Sequence, residues 1–277
     1  MPAALVQLTS SDDPEANLPV TEGLIRQAAA GGAALVLTPE VTNMVSASRT
    51  AQEARLALET DDRTLARLRE VAAELGIWLS LGSLALKSGD PDGRFVNRQF
   101  LIGPDGAIRA RYDKIHMFDV ELGDGESYRE SKGYRPGERA VTAAAPWGTL
   151  GLTICYDMRF PMLYRALAMG GAVILTVPSA FTVPTGRAHW ETLLRARAIE
   201  TGCFVLAAAQ TGTHAASRGR VRETYGHSLA IDPWGKVLAD AGEGPGVTHV
   251  TLDLDAVAKA RAKIPSLANA RSFTGPE

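Results

Sequence analysis

Short apolar runs alternate with longer amphipathic stretches along the whole chain. Residues 3–8 and 34–38 are apolar at nearly every position, the pattern of strands buried on both faces. Between them, residues 13–30 carry helical spacing, opened by the cap-like Ser10-Ser11-Asp12-Asp13 and stopped by Gly31-Gly32. A polar linker, 42–50, precedes a helical pattern over 51–75 with a break expected near Asp61-Asp62, and Gly76 ends it. Residues 77–86 predict a strand. Residues 95–102 and 107–112 predict a hairpin around Gly103-Pro-Asp-Gly106. The stretch 113–139 breaks the rhythm: it is polar, glycine-rich and loop-like, which in a compact domain marks function or disorder.

The second half repeats the scheme. Residues 150–154 predict a strand, and Pro161 opens a helix over 162–169. A strand over 172–177, a helix over 189–201 and a strand over 203–209 follow. Residues 228–231 and 236–239 predict a hairpin around Asp232-Pro-Trp-Gly235, then 247–254 a strand and 255–264 a helix. The tail, 265–277, has no periodicity. No low-complexity tract divides the chain. The pattern predicts one α/β domain over 1–264, with two layered sheets covered by helices on their outer faces.

Composition narrows the function classes. With 277 residues and 45% of them hydrophobic, the chain can bury a large core. A net charge of −2 gives no basic surface for nucleic acid or anionic membrane. No apolar run approaches the roughly 20 residues that span a bilayer. The start, Met1-Pro-Ala-Ala-Leu-Val-Gln-Leu8, lacks the basic-then-apolar order of a signal peptide. Two cysteines make no disulfide framework, so a cytoplasmic location is expected.

Three reactive side chains stand just past predicted strand ends, where ligands of α/β sheets bind. Glu40 follows 34–38, Lys114 follows 107–112 and Cys155 follows 150–154. A turn between strand and helix lifts Cys155 out of the sheet. The backbone N–H groups of that turn are expected to lower the thiol pKa and to hold an oxyanion. Tyr156, Asp157 and Arg159 give it polar company, whereas Cys203 sits in an apolar strand and reads as inert core. The carboxylate can take the thiol proton and later activate water, and the ammonium can stabilise a tetrahedral oxyanion. His116, His189, His214, His227 and His249 show no metal-ligand spacing, and no phosphate loop or dinucleotide fingerprint is present. No metal and no cofactor are therefore expected. A Cys–His pair of thiol-protease type stays open on chemistry alone, and a redox role would require Cys203 to resolve Cys155.

Leu37-Thr-Pro-Glu40, Tyr112-Asp-Lys114-Ile-His-Met-Phe-Asp119 and Gly151-Leu-Thr-Ile-Cys155-Tyr-Asp-Met-Arg-Phe-Pro161 resemble the three motifs of the nitrilase, or carbon–nitrogen hydrolase, superfamily. The resemblance covers nearly the whole chain. It implies an α-β-β-α sandwich that dimerises to an eight-layered body; the aperiodic tail 265–277 is compatible with a dimer arm and equally with disorder. It implies Glu40 as base, Lys114 as electrostatic stabiliser and Cys155 as nucleophile. A second active-site glutamate falls best on Glu130, with Glu126 four residues away as the alternative. Pro178-Ser-Ala-Phe181, Thr185-Gly-Arg-Ala-His-Trp190 and Tyr225-Gly-His-Ser228 resemble the Nit branch, which holds amidases of deaminated glutathione and of ω-amides. The resemblance thus implies a homodimeric enzyme that splits a small carboxylate-bearing primary amide into acid and ammonia through a cysteine thioester. Deaminated glutathione is the leading substrate; α-ketoglutaramate, α-ketosuccinamate or a nitrile are alternatives. Arg187 and the basic loop 218–222 depart from the branch pattern. Tyr156, Arg159, Phe181 and Thr185 match positions that line the substrate pocket. A guanidinium at Arg159 would hold the substrate's carboxylate through two parallel hydrogen bonds, unless it pairs with Asp157 or caps a helix.

Overall fold

A computed structural model describes residues 1–123 and 126–276, with the side chains of 122 and 126 outside the description. The first half runs β1 (Pro2–Gln7), α1 (Pro14–Ala30), β2 (Leu35–Leu37), α2 (Arg49–Arg55), α3 (Arg63–Leu75), β3 (Trp78–Lys87), β4 (Phe95–Ile102), β5 (Ile108–Asp113), β6 (Asp119–Gly123) and β7 (Glu126–Arg129). The second half runs β8 (Val141–Ala145), β9 (Gly148–Leu152), α4 (Pro161–Met169), β10 (Ala172–Thr176), α5 (Val183–Thr201), β11 (Phe204–Ala207), β12 (Thr211–His214), β13 (Arg222–Tyr225), β14 (Leu229–Ile231), β15 (Val237–Asp240), β16 (Gly246–Thr251) and α6 (Asp255–Lys263).

Two six-stranded sheets result, ordered β16-β1-β2-β3-β4-β5 and β15-β14-β11-β10-β9-β8. Each has a parallel trio inside it, β1-β2-β3 or β9-β10-β11, flanked by antiparallel strands. The apolar runs at β1 and β2 are continuous because both faces are covered. Ala3, Leu5, Leu35 and Leu37 face Leu150, Leu152 and Ile174 across the inter-sheet core. Ala4, Val6 and Val36 pack on Ile25, Leu68 and Val71 of α1 and α3. Helices α4 and α5 cover the second sheet from outside. The architecture is the four-layered α-β-β-α sandwich expected. None of the described helices is long and apolar enough to cross a membrane.

The differences from the sequence expectation have local causes. The pattern over 51–75 divides where expected: Asp62 accepts a hydrogen bond from Leu65 N at 2.7 Å and caps α3. α5 begins six residues before the predicted 189, because Pro184 sits in its first turn, where a missing N–H costs nothing. Part of 113–139 is a β6–β7 ribbon rather than loop. β8 is alanine-rich and unpredicted, yet it pairs with β9 throughout. The β12–β13 ribbon was also not predicted.

A buried polar seam joins the halves. The Gln7 side chain accepts from Ser228 N and Oγ at 2.8 Å each and donates to Gly242 O and Gly244 O. Gln210 donates to the backbone oxygen of Glu40 at 3.1 Å. His214 donates from Nδ1 to Ser10 O (2.8 Å) and accepts at Nε2 from Thr224 Oγ1 (2.7 Å), the tautomer that the carbonyl dictates. Burial drives its pKa down to about 4 against the partial support of the Ser10 carbonyl. The folded state thus holds a neutral imidazole that the unfolded chain protonates near pH 6.5. His214 therefore stabilises fully above pH 6.5, and its contribution falls as pH drops toward 4, by at most about 3 kcal/mol. Denaturant midpoints at pH 7 and pH 5 check this: His214→Gln should show a flatter pH dependence than the parent. Parallel profiles would contradict it.

Candidate active site

The turn after β2 carries Glu40 and is strained. Val41 has φ +47°, rare for a β-branched residue, and Ser83 holds it by accepting from Val41 N at 2.8 Å. Gly82 lets this turn press against β3: a Cβ there would lie 1.8 Å from Thr38 O. On the facing sheet, Cys155 also has φ +49° and opens a 3₁₀ turn, Cys155–Arg159, with its N–H bonded to Pro178 O at 2.9 Å. Lys114 follows β5, its backbone N bonded to Asn97 O at 3.0 Å. The three residues thus come from both sheets and meet at one buried point.

Their geometry is tight. Lys114 Nζ lies 2.9 Å from Glu40 Oε1 and 2.9 Å from both Glu130 oxygens. Lys114 is only 2% exposed and Glu40 5%. Glu40 further accepts from Asn97 Nδ2 and from Ala180 N, both at 2.9 Å. Glu130, at the head of the turn Glu130–Lys132, accepts from Phe118 N at 2.6 Å. Cys155 lines the same cavity floor and lies near enough to Glu40 for the two to interact electrostatically. The side chain of Glu126, the alternative second glutamate, lies outside the described residues.

Electrostatics fix the charge states. Burial opposes charge on Glu40, but the Lys114 ammonium, then the Cys155 contact and more weakly Arg222, hold its carboxyl below the usual range. Burial likewise opposes charge on Lys114, and the Glu130 and Glu40 carboxylates raise it well above the ordinary lysine value. Burial pushes the Cys155 thiol up, and the Glu40 charge pushes it further; Lys114 and the Ala180 N–H pull the other way without prevailing. This corrects the expectation of a lowered thiol pKa. The N–H that favours the thiolate is that of Ala180, outside the cysteine turn, and burial together with a carboxylate from the other sheet outweighs it. At rest the cluster holds a carboxylate, an ammonium and a neutral thiol, so the thiol proton stands beside its acceptor.

A cavity of about 520 Å³ opens over this cluster, a size that suits a small molecule. Glu40, Lys114, Cys155 and Glu130 line it, as do Tyr156, Phe181 and Thr185. Phe181 is tilted against Trp190, with centroids 5.0 Å apart. The Thr185 hydroxyl is hydrogen-bonded to Thr182 Oγ1 at 2.8 Å in the first turn of α5. Arg159 is not among the lining residues. Its guanidinium lies 5.5 Å from the Phe181 centroid and 5.9 Å from that of Tyr156, 3.2 Å from His189 Nδ1. Neither an Asp157 ion pair nor a helix cap engages it. Cys203 is fully buried, bonded to Ala172 O and Arg261 and away from the cavity, as its apolar strand implied.

Asn97 was not singled out in the sequence, where Asp157 read only as polar company for Cys155 or a partner for Arg159, and Arg222 only as part of the basic loop 218–222. Asp157 is fully buried and ties both sides of the cluster. It accepts from Tyr112 Oη (2.6 Å) and Ile154 N (2.9 Å) at Oδ2, and from His116 N (3.0 Å) at Oδ1, which His116 Nδ1 also meets at 2.7 Å. Tyr112 and His116 flank Lys114, and Ile154 precedes Cys155. One carboxylate therefore sets the spacing between the lysine loop and the cysteine turn. Its place in the Cys155-Tyr-Asp157 run was the only sequence signal.

Comparison with known proteins agrees with the fold and the motifs. Residues 2–262 match the carbon–nitrogen hydrolase family. The chain is 41% identical to deaminated glutathione amidase of Yersinia enterocolitica, over 97% of this chain and 92% of that one. The Nit3 structure from Saccharomyces cerevisiae, a member of branch 10 of the nitrilase superfamily, superposes with a TM-score of 0.83 at 31% identity, covering 96% and 94% of the two chains. The Caenorhabditis elegans NitFhit structure gives 0.88 at 39% identity; the match covers 98% of this chain but only 65% of that longer one.

Asp157→Asn keeps the volume but turns an amide N–H₂ toward at least one of these donors. An unsatisfied buried group costs about 1–3 kcal/mol. The variant should unfold at lower denaturant by a corresponding amount, read from equilibrium unfolding. An unchanged midpoint would show that Asp157 does not brace the two turns.

Proposed function

The chain belongs to the carbon–nitrogen hydrolase family, and from that premise we propose an amidase that acts through a Cys155 thioester on a small carboxylate-bearing amide. The observation that carries this reading is the convergence of Cys155, Glu40 and Lys114 on one cavity floor, with Glu40 2.9 Å from Lys114 Nζ and its charge felt by a neutral Cys155 thiol. Glu40 takes the thiol proton as Sγ bonds the amide carbon. Lys114 stabilises the oxyanion, and Glu130 holds Lys114 in place. Collapse breaks the C–N bond, and protonated Glu40 gives its proton to the departing nitrogen. Water then donates a proton to Glu40 and attacks the thioester; the acid leaves and Sγ recovers its proton. Phe181 and Tyr156 wall the substrate, with Arg159 behind their rings and Thr185 at the edge.

We take deaminated glutathione as the leading substrate, because the relative at 41% identity carries that name. An amide within a glutathione skeleton is N-substituted and releases an amine, whereas ω-amides such as α-ketoglutaramate release ammonia. The primary-amide expectation thus covers only the second substrate class, and measuring both products separates the two. We further infer a homodimer with 265–277 as its arm. Ile199, Trp234 and Phe273 present exposed apolar surface that a partner would cover. A reducing cytosol suits the two free thiols.

Lys114→Ala and Glu40→Gln should each lower turnover by on the order of 10²–10³ or more, since each removes a group that acts in the transition state. Steady-state release of amine or ammonia reads this directly, and near-normal rates in either variant would show the roles misassigned. Light scattering at micromolar concentration should give twice the chain mass; a monomer would contradict the dimer.

A further inference from the structure

Arg222 puts a half-buried guanidinium on the cavity wall, and among the described residues no carboxylate pairs with it. The other acids of the cavity floor, Glu40 and Glu130, are engaged by Lys114. The three other arginines of the cavity are engaged: Arg49 with Glu53 and two carbonyls, Arg129 with Glu121, and Arg220 is not free either. Among the described residues the Arg222 guanidinium makes one long bond, from Nη2 to Ala180 O at 3.3 Å, out of five possible donors. Taking a cation partly out of water costs free energy, and among the described residues only the weaker attraction of Glu40, which Lys114 already engages, offsets it. A ligand carboxylate would return it through two parallel hydrogen bonds.

Its backbone is firmly placed. Arg222 starts β13, which pairs with β12, and Tyr225 N of the same strand bonds Phe181 O at 3.0 Å. Ala180 links the two ends of the site: its N–H donates to Glu40 and its carbonyl accepts from Arg222. A small molecule with its amide at Cys155 would thus reach Arg222 with its far end. Arg159, to which the sequence assigns this work, lies outside the lining and against His189.

We propose that Arg222 binds the free carboxylate of the substrate and so selects amides that carry an acid at the end remote from the scissile bond. This rests on the amidase reading of the cavity and names the residue that sets its substrate class.

Glutaramate and pentanamide differ only by a carboxylate in place of a methyl. Their affinities for the Cys155→Ala protein, measured by calorimetry, should favour glutaramate. Arg222→Met should lower the glutaramate-to-pentanamide affinity ratio tenfold or more. Arg222→Gln, which keeps a donor for the Ala180 carbonyl without the charge, should do the same. An unchanged ratio in both variants, or no preference for glutaramate in the Cys155→Ala parent, overturns the proposal. Ammonia release from glutaramate and amine release from deaminated glutathione by the protein with Cys155 intact are read separately. Binding preference without turnover of either would sink the amidase reading and leave Arg222 in place; turnover with an unchanged ratio would do the reverse.

Discussion

Lys114 stays charged at 2% exposure only because the Glu40 and Glu130 carboxylates meet its ammonium at 2.9 Å. An unpaired charge there would cost several kcal/mol. The constraint reaches into the fold. Glu40 must project from the end of β2, Lys114 from the end of β5, and Glu130 from the turn after β7. Strain at Val41 and close approach at Gly82 are what this convergence demands of the backbone. Asp157 performs the matching task on the other side, fixing the cysteine turn against the lysine loop.

The charge pattern that follows suits proton transfer on demand. Lysine holds the carboxylate ionised, and the carboxylate keeps the neighbouring thiol protonated. A standing thiolate would be exposed to oxidation. In the proposed mechanism the nucleophile would form only as its proton moves to Glu40, which would tie reactivity to a substrate carbon in place. The same low-dielectric floor that raises the thiol also strengthens the Lys114 interaction with a developing oxyanion.

Much of this was legible in the sequence, and the reason is physical. Buried strands leave continuous apolar runs, so the ends of β2 and β9 could be located, and with them Glu40 and Cys155; β5, a half-exposed edge strand, was located by the turn Gly103-Pro-Asp-Gly106, and with it Lys114. What stayed hidden depends on contacts between distant segments. Ala180 N on Glu40, Asn97 on Glu40 and Asp157 on Tyr112 join residues 45 to 140 positions apart. The direction of the thiol shift was missed because the turn is local whereas Glu40 comes from the opposite sheet. β8 was missed because its alanines carry little strand preference, and pairing with β9 decides the matter. Arg159 drew the carboxylate role by its nearness in sequence to Cys155, yet Arg222, noted only as part of the basic loop 218–222, lines the cavity.

The central claim is that Cys155 carries the acyl group of the substrate between two half-reactions. Rapid acid quench during turnover, followed by mass analysis of the peptide that contains Cys155, tests it most directly. The account predicts an adduct of the acyl portion on that peptide, formed before product and decaying at the rate of turnover. Steady turnover with no adduct on Cys155, or with the adduct on another residue, would contradict it.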